Sequence, residues 1–222
     1  QYHQRIAQVL EGRFPETAET QPELLAHHYT EAGLAAQAVG YWQRAGRRAV
    51  ERSAYVEAIA HLSRGLEVLT ALPETSARTQ HELDLRLTLG PAFMALKGFG
   101  ALEVEQTYAK AYELCQLLPM ETSPQLLQVL YGLRRVYIHR GNVQKAREIA
   151  EQYLHLAQQL HDVHMQIDAF WSVGLSLIEQ GDVVAAHAVC EQGIALDTRP
   201  IQGIVASERT AVDPGVMCRL FA

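Results

Sequence analysis

Residues 172–196 read SVGLSLIEQGDVVAAHAVCEQGIAL. With Gly181 as origin, small and apolar residues fall at fixed offsets on both sides. Gly174 lies seven before and Leu177 four before, while Val183, Ala186, Cys190 and Gly193 lie two, five, nine and twelve after. Steps of three and four residues trace one face of a 3.6-period helix. A glycine between two such runs accepts the left-handed backbone that ends a helix. The stretch therefore predicts two antiparallel helices joined by a tight turn, with small residues where their axes approach.

The same frame recurs around Gly33, Ser53 and Gly141. Five after these origins stand Ala38, Ala58 and Ala146; nine after stand Trp42, Leu62 and Ala150; twelve after stand Ala45, Gly65 and Tyr153. Seven before stand Ala26, Gly46 and Arg134. Arg134 breaks the rule of small residues and predicts a looser hairpin. Gly141 and Gly181 lie 40 residues apart, and a degenerate unit spans 83–118 with Gly90, Tyr108 and Ala111 in role and two extra residues around Gly98, Phe99 and Gly100. One hairpin cannot cover its own apolar face, so the expected fold is all-α, a solenoid of stacked antiparallel helix hairpins.

Eleven helices are expected, near 2–12, 22–32, 35–52, 55–71, 78–96, 101–118, 124–139, 143–160, 164–179, 183–196 and 214–222. Thr20, three before Glu23 with Pro22 between, has the pattern of a capping box. Ser123-Pro124 and Asp213-Pro214 each place a cap residue before a first-turn proline. Leu83, Leu85, Leu87 and Leu89 alternate with polar residues, as a strand would. They are also i,i+4 pairs, and a helix kinked or restarted at Pro91 fits their neighbours better. Residues 197–213 have no helical period. The division expected is a linking helical module over 1–14, a repeat array over 15–197, a long loop over 198–213 and the start of a further hairpin over 214–222. That last helix carries Val216, Met217, Leu220 and Phe221 with no following partner, which predicts fraying or association between chains and leaves Cys218 open to solvent.

These offsets resemble the tetratricopeptide repeat, most clearly in residues 45–69, AGRRAVERSAYVEAIAHLSRGLEVL, and in 172–196. The resemblance implies a right-handed superhelix. QYHQRIAQVLE (1–11), FPETAETQPELLAHHYTEAGLAAQAVGYWQRAG (14–46), LGPAFMALKGFGALEVEQTYAKAYELC (89–115) and DPGVMCRL (213–220) look like the C-terminal helical region of large bacterial STAND-type signalling ATPases. Such proteins carry a nucleotide-cyclase, protein-kinase or DNA-binding domain before the ATPase module. The resemblance implies a non-catalytic scaffold or sensor segment whose partners are a protein or peptide and its own ATPase domain in cis. The alternatives are the effector region of a transcriptional regulator or a helical metal-dependent enzyme.

Composition narrows the classes. Nineteen Lys and Arg against 25 Asp and Glu give a net charge of −6, which argues against direct binding to a nucleic-acid duplex. No apolar run reaches the roughly 18 residues of a membrane span, and no signal peptide is visible at the start given. Three cysteines, Cys115, Cys190 and Cys218, with no CxxC suit reduced thiols and a cytoplasmic setting. There is no GxxxxGK[ST] loop, GxGxxG turn or GxSxG elbow, so neither nucleotide cofactor nor serine hydrolase chemistry is written here.

Ten histidines raise the question of metal. His155, His161 and His164 have spacings that can share a helix side, or form a solvated turn. His27 and His28 are adjacent and point to different sides of one helix, which predicts poor chelation. No catalytic residue, metal ligand or cofactor is assigned. In the repeat that the chain resembles, the first helix of each pair lines the concave face. That placement makes Tyr131, Arg135, His139, Asp168 and Trp171 the candidates for a partner-binding groove, with Trp171 alternatively filling the core. The carboxylate-clamping variant of the family uses paired Asn and Lys, and this chain has one Asn, Asn142.

Overall fold

A computed structural model describes residues 1–118, 124–198 and 213–221. Among the described residues there are twelve α-helices and no strand. The chain groups into two compact units, residues 1–120 and 121–222.

The first unit holds α1 (Tyr2–Arg13), α2 (Pro15–Thr20), α3 (Pro22–Glu31), α4 (Ala35–Glu51), α5 (Tyr55–Leu69), α6 (Ser76–Lys97) and α7 (Leu102–Leu117). From α3 to α7 each helix packs on the next, α4 also touches α6, and α1 lies on α3. The second unit holds α8 (Pro124–His139), α9 (Val143–Gln159), α10 (Val163–Glu179), α11 (Val183–Leu196) and α12 (Pro214–Phe221). Here again each helix packs on its successor, and α12 also reaches back to α10. Neighbour-on-neighbour stacking is the expected consequence of hairpins that share one apolar seam.

The turns repeat almost atom for atom. Gly33, Ser53, Gly141, His161 and Gly181 all have positive φ, between 55° and 84°. In each turn the amide of the following residue bonds back to a carbonyl five residues earlier: Leu34 to Tyr29, Ala54 to Ala49, Asn142 to Tyr137, Asp162 to Ala157 and Asp182 to Leu177. This bond and the left-handed residue together make the Schellman termination. In the second unit the residue after the turn also caps the next helix. Asn142, Asp162 and Asp182 accept from the amides of Lys145, Met165 and Ala185, satisfying donors that the helix start leaves orphaned. The turn at His161 divides the 40-residue interval between Gly141 and Gly181 into equal halves.

Between the turns, glycine marks the closest helix approach. Gly46 lies under the Leu62 side chain, Gly90 under the Tyr108 ring and Gly174 under the Cys190 sulfur. On the second helix, Gly65 meets Trp42 of the first helix and Leu85 of the following one, while Gly193 meets Phe170 of the first and Cys218 of the following one. A helix-interior glycine costs about 0.5–1 kcal/mol relative to alanine, and here it admits a large buried neighbour instead. In the α8/α9 hairpin the sizes are exchanged. Arg134 takes the glycine position, and Ala150 stands where the others have Leu62 or Cys190. Arg134 is 5% exposed, so its side chain is packed inward.

Several local expectations are corrected. The helix at Pro15–Thr20 was not anticipated, and it absorbs Thr20. The Thr20 hydroxyl donates to the Glu16 carbonyl, so no capping box forms and Gln21 starts α3 without a side-chain cap. The leucine run 83–89 is helical as expected, and Pro91 lies inside α6 without starting a new helix. Asp213 does cap α12, accepting from Gly215 and Val216 amides at 2.9 and 3.3 Å. Cys218 is fully buried rather than solvent-facing. It sits with Ile167, Trp171 and Cys190, and the Arg219 Nη1–Asp197 Oδ2 ion pair at 2.8 Å holds the same helix down. Ser123 and the segment 199–212 lie outside the described residues. No helix among the described residues is long and apolar enough to cross a membrane.

Candidate functional site

Helix α8 starts at Pro124 and presents Tyr131, Arg135 and His139 at successive i+4 steps, which places them in one row. The row is bonded along its length. Arg135 Nη1 donates to the Tyr131 hydroxyl, and its guanidinium carbon lies 5.3 Å from the Tyr131 ring centroid. His139 Nδ1 lies 2.7 Å from the Arg135 carbonyl oxygen. Tyr131 and Arg135 are half-buried and His139 is exposed. A planar cation against an aromatic face is attractive by about 0.5–1 kcal/mol when exposed and more when desolvated.

Behind the row stands Asp168 of α10, 4% exposed. Burial pushes its carboxyl up, and the Arg134 guanidinium, the Tyr153 hydroxyl, Arg135 and His164 pull it back down. Arg134 itself is pushed down by burial and held up by Asp168. Its guanidinium carbon lies 5.8 Å from the Tyr131 ring centroid. The Tyr153 hydroxyl of α9 sits 2.9 Å from Met165 Sδ and neighbours the same carboxylate, and burial drives its pKa well up. Burial likewise raises Tyr131. Among the described residues, Asp168 Oδ2 and Arg134 Nε are buried without a hydrogen-bond partner. Such groups each cost about 1–3 kcal/mol when left unsatisfied.

The structure thus brings Tyr131, Arg135, His139 and Asp168 into one neighbourhood. Trp171 lies elsewhere: it is 9% exposed and packs with Ile167, Cys190 and Cys218. Arg134 and Tyr153 belong to the site but were read from the sequence only as a repeat irregularity and a repeat position. The available signal was a charged residue at a position reserved for glycine, since burial of arginine requires a partner.

The alternative metal set does not assemble. His161 holds the left-handed turn with Nδ1 3.0 and 3.1 Å from the Gln158 and Gln159 carbonyls, and His155 pairs with Gln159 Nε2 at 3.0 Å. His164 exerts its charge effect on Asp168 instead. In the first unit a groove of about 610 Å³ is lined by residues of α5, α6 and α7. Two of its arginines already face carboxylates, Arg86 on Glu82 at 2.8 Å and Arg78 on Glu74 at 3.3 Å.

No protein-family model and no curated protein sequence matches the chain. Solved structures do. BtubC (BKLC) from P. vanneervenii is similar with a TM-score of 0.64 and 18% identity, over 91% of this chain and 92% of that one. A putative kinesin light chain from Podosopora anserina, with nearly identical TPR-like repeats, is similar with a TM-score of 0.59 and 17% identity, over 72% of this chain and 76% of that one. At such identity the likeness is one of fold, and the fold it shows is an all-helical repeat architecture of the tetratricopeptide type.

Proposed function

We propose that this chain is a non-catalytic protein-interaction segment that takes a protein or peptide partner on the α8 row of Tyr131, Arg135 and His139. The observation that carries this reading is the row itself. A half-buried aromatic and a half-buried guanidinium are fixed to each other and backed by a buried carboxylate, so both are held in place before any partner arrives. Pre-ordered aromatic and arginine side chains lose little entropy on binding and dominate many interfaces. Arg135 and the exposed Arg140 place positive charge at this end of α8. An acidic segment with an aromatic anchor is the matching partner.

The wider setting proposed is the scaffold or sensor part of a cytoplasmic bacterial signalling ATPase, with the upstream ATPase domain as a second partner in cis. Support comes from the resemblance of residues 1–46 and 89–115. Control of this kind requires the partner to bind one state of the ATPase more tightly than the other. A GxxxxGK[ST] loop encoded upstream of Gln1 in the same gene is the expected finding, and a gene without one removes the ATPase setting.

The groove is tested by peptide display. Wild type is expected to enrich acidic, aromatic-containing peptides. Tyr131→Ala and Arg135→Ala, checked for helicity, are expected to lose binding about tenfold or more, the loss typical of a truncated interface anchor. Undiminished binding by folded versions of both variants would overturn the groove.

A further inference from the structure

His3 of α1 meets His27 and His28 of α3 in the first unit. One ring nitrogen from each of the three lies within 4.8 Å of the others. The Nδ1 atoms of His3 and His28 are 2.9 Å apart. Ring centroids stand 5.1 Å apart for His3–His28, 5.5 Å for His27–His28 and 6.0 Å for His3–His27. The adjacent pair was expected to chelate poorly, because neighbours on a helix diverge by about 100°. That argument considers one helix. His3 comes from a second helix, and a third imidazole in the angle between two divergent ones closes the set.

We propose that His3, His27 and His28 bind a single divalent transition-metal ion of the nitrogen-preferring class, such as Zn²⁺, Ni²⁺, Cu²⁺ or Co²⁺, and that the ion staples α1 to α3. The distances fit. Zinc–nitrogen bonds of about 2.0–2.1 Å in a tetrahedron place ligand nitrogens about 3.4 Å apart. The observed range, from 2.9 Å to an upper limit of 4.8 Å, brackets that edge. The donor set selects the metal class: three imidazoles with no carboxylate or thiolate among them suit Zn, Ni, Cu and Co, whereas Mg²⁺ and Ca²⁺ require oxygen ligands.

An ordinary hydrogen bond between two neutral imidazoles accounts for His3 and His28. It does not account for His27, a third base in the same place. His3 and His28 are half-buried and His27 is exposed, so an ion has a path in and a position left for water. The helix carrying His3 is anchored independently. Its Glu11 carboxylate accepts hydrogen bonds from Tyr29 and Tyr41 at 2.5 and 2.6 Å, and Ala7 is fully buried in the same core. Among the described residues no carboxylate or carbonyl is bonded to the outer nitrogens of the three imidazoles. Because such supporting contacts tighten metal sites, the affinity expected is micromolar, that of an exchangeable site.

The test is a Co²⁺ titration of the full chain without a purification tag, read by visible absorption, with Zn²⁺ added during thermal unfolding as a second readout. Saturable binding of one ion per chain and a higher Tm with Zn²⁺ are expected. His3→Gln, His27→Gln and His28→Gln, each with wild-type helicity, are expected to weaken Co²⁺ binding at least about tenfold and to abolish the Tm rise. The double change His155→Gln and His161→Gln is expected to behave as wild type. Absence of saturable Co²⁺ binding at micromolar protein, or binding that survives replacement of all three residues, overturns the site. A loss confined to the His155 and His161 variant does the same.

Discussion

A Cβ placed on Gly46 would stand 2.4 Å from Leu62 Cγ, inside any permitted carbon–carbon contact. The equivalent distances are 2.6 Å from Gly90 to the Tyr108 ring and 2.7 Å from Gly174 to the Cys190 sulfur. Alanine at these positions improves helix propensity by about 1 kcal/mol but overpacks a core at about 1–3 kcal/mol. Gly46→Ala and Gly174→Ala are therefore expected to lower stability by up to about 2 kcal/mol in urea unfolding. Gly40→Ala is the control, since nothing lies within 4 Å of its Cβ position. It is expected to raise stability by about 0.4–1 kcal/mol. The reverse order would refute close approach as the reason for these glycines.

The left-handed turns make a second comparison. Ser53 and His161 hold φ of 58° and 55°, where a side chain is strained. Ser53→Gly and His161→Gly are each expected to stabilise the chain by about 0.5 kcal/mol, the relief of strain less the greater freedom of unfolded glycine. Gly181→Ala, at φ 84°, is expected to cost about 1 kcal/mol. Thermal unfolding of the three variants side by side gives the answer.

Arg134 and Asp168 are expected to depend on each other. Asp168→Asn removes the charge that compensates a buried guanidinium and is expected to cost about 3 kcal/mol, the scale for breaking a buried charge pair. Arg134→Met alone strands the carboxylate. The double variant is expected to lose less than the two single losses combined, by about 1 kcal/mol or more. Strict additivity in that cycle would mean the two do not interact.

Glu11 predicts a pH dependence. Its pKa is lowered from the ordinary 4.5, first by the Tyr29 hydroxyl and then by Tyr41. A carboxyl with a depressed folded pKa adds stability that is complete above the unfolded value and drains away as pH falls through the folded one. The window is therefore below 4.5. Wild type is expected to lose stability on acidification through that window more steeply than Glu11→Gln. Urea melts at about pH 6 and about pH 3 compare the two slopes. Equal slopes would show that the double phenol bond contributes nothing to the acid limb.

Hairpin architecture was legible because its determinants are local. Gly141, Gly181 and the small residues around them announce turn and packing within one stretch of chain. The turn between 160 and 164 was expected, but His161 was not read as a repeat origin because histidine is not the usual left-handed residue, although Asp162 and Val163 repeat the Asn142–Val143 and Asp182–Val183 pattern. The helix ending at Thr20 was missed because six residues are too few to show a period. The candidate site was half legible. Tyr131, Arg135, His139 and Asp168 follow from repeat phasing, whereas Arg134 and Tyr153 join them only when three helices are packed together. Cys218 was placed in solvent although it is buried, whereas Trp171 takes the alternative given for it, in the core. Cys218 of α12 packs with Ile167, Trp171 and Cys190, and that docking joins residues far apart along the chain. His27 and His28 were judged on their own helix, and their third partner comes from another.

Five turns closed by the same short-range bond, between helices that pack on their immediate successors, leave few contacts that must wait for distant chain. A polypeptide of this kind can fold as it leaves the ribosome, each emerging hairpin settling on the one made before it. A lesion at one junction should then melt a neighbourhood and spare the remainder, and unfolding should proceed in steps.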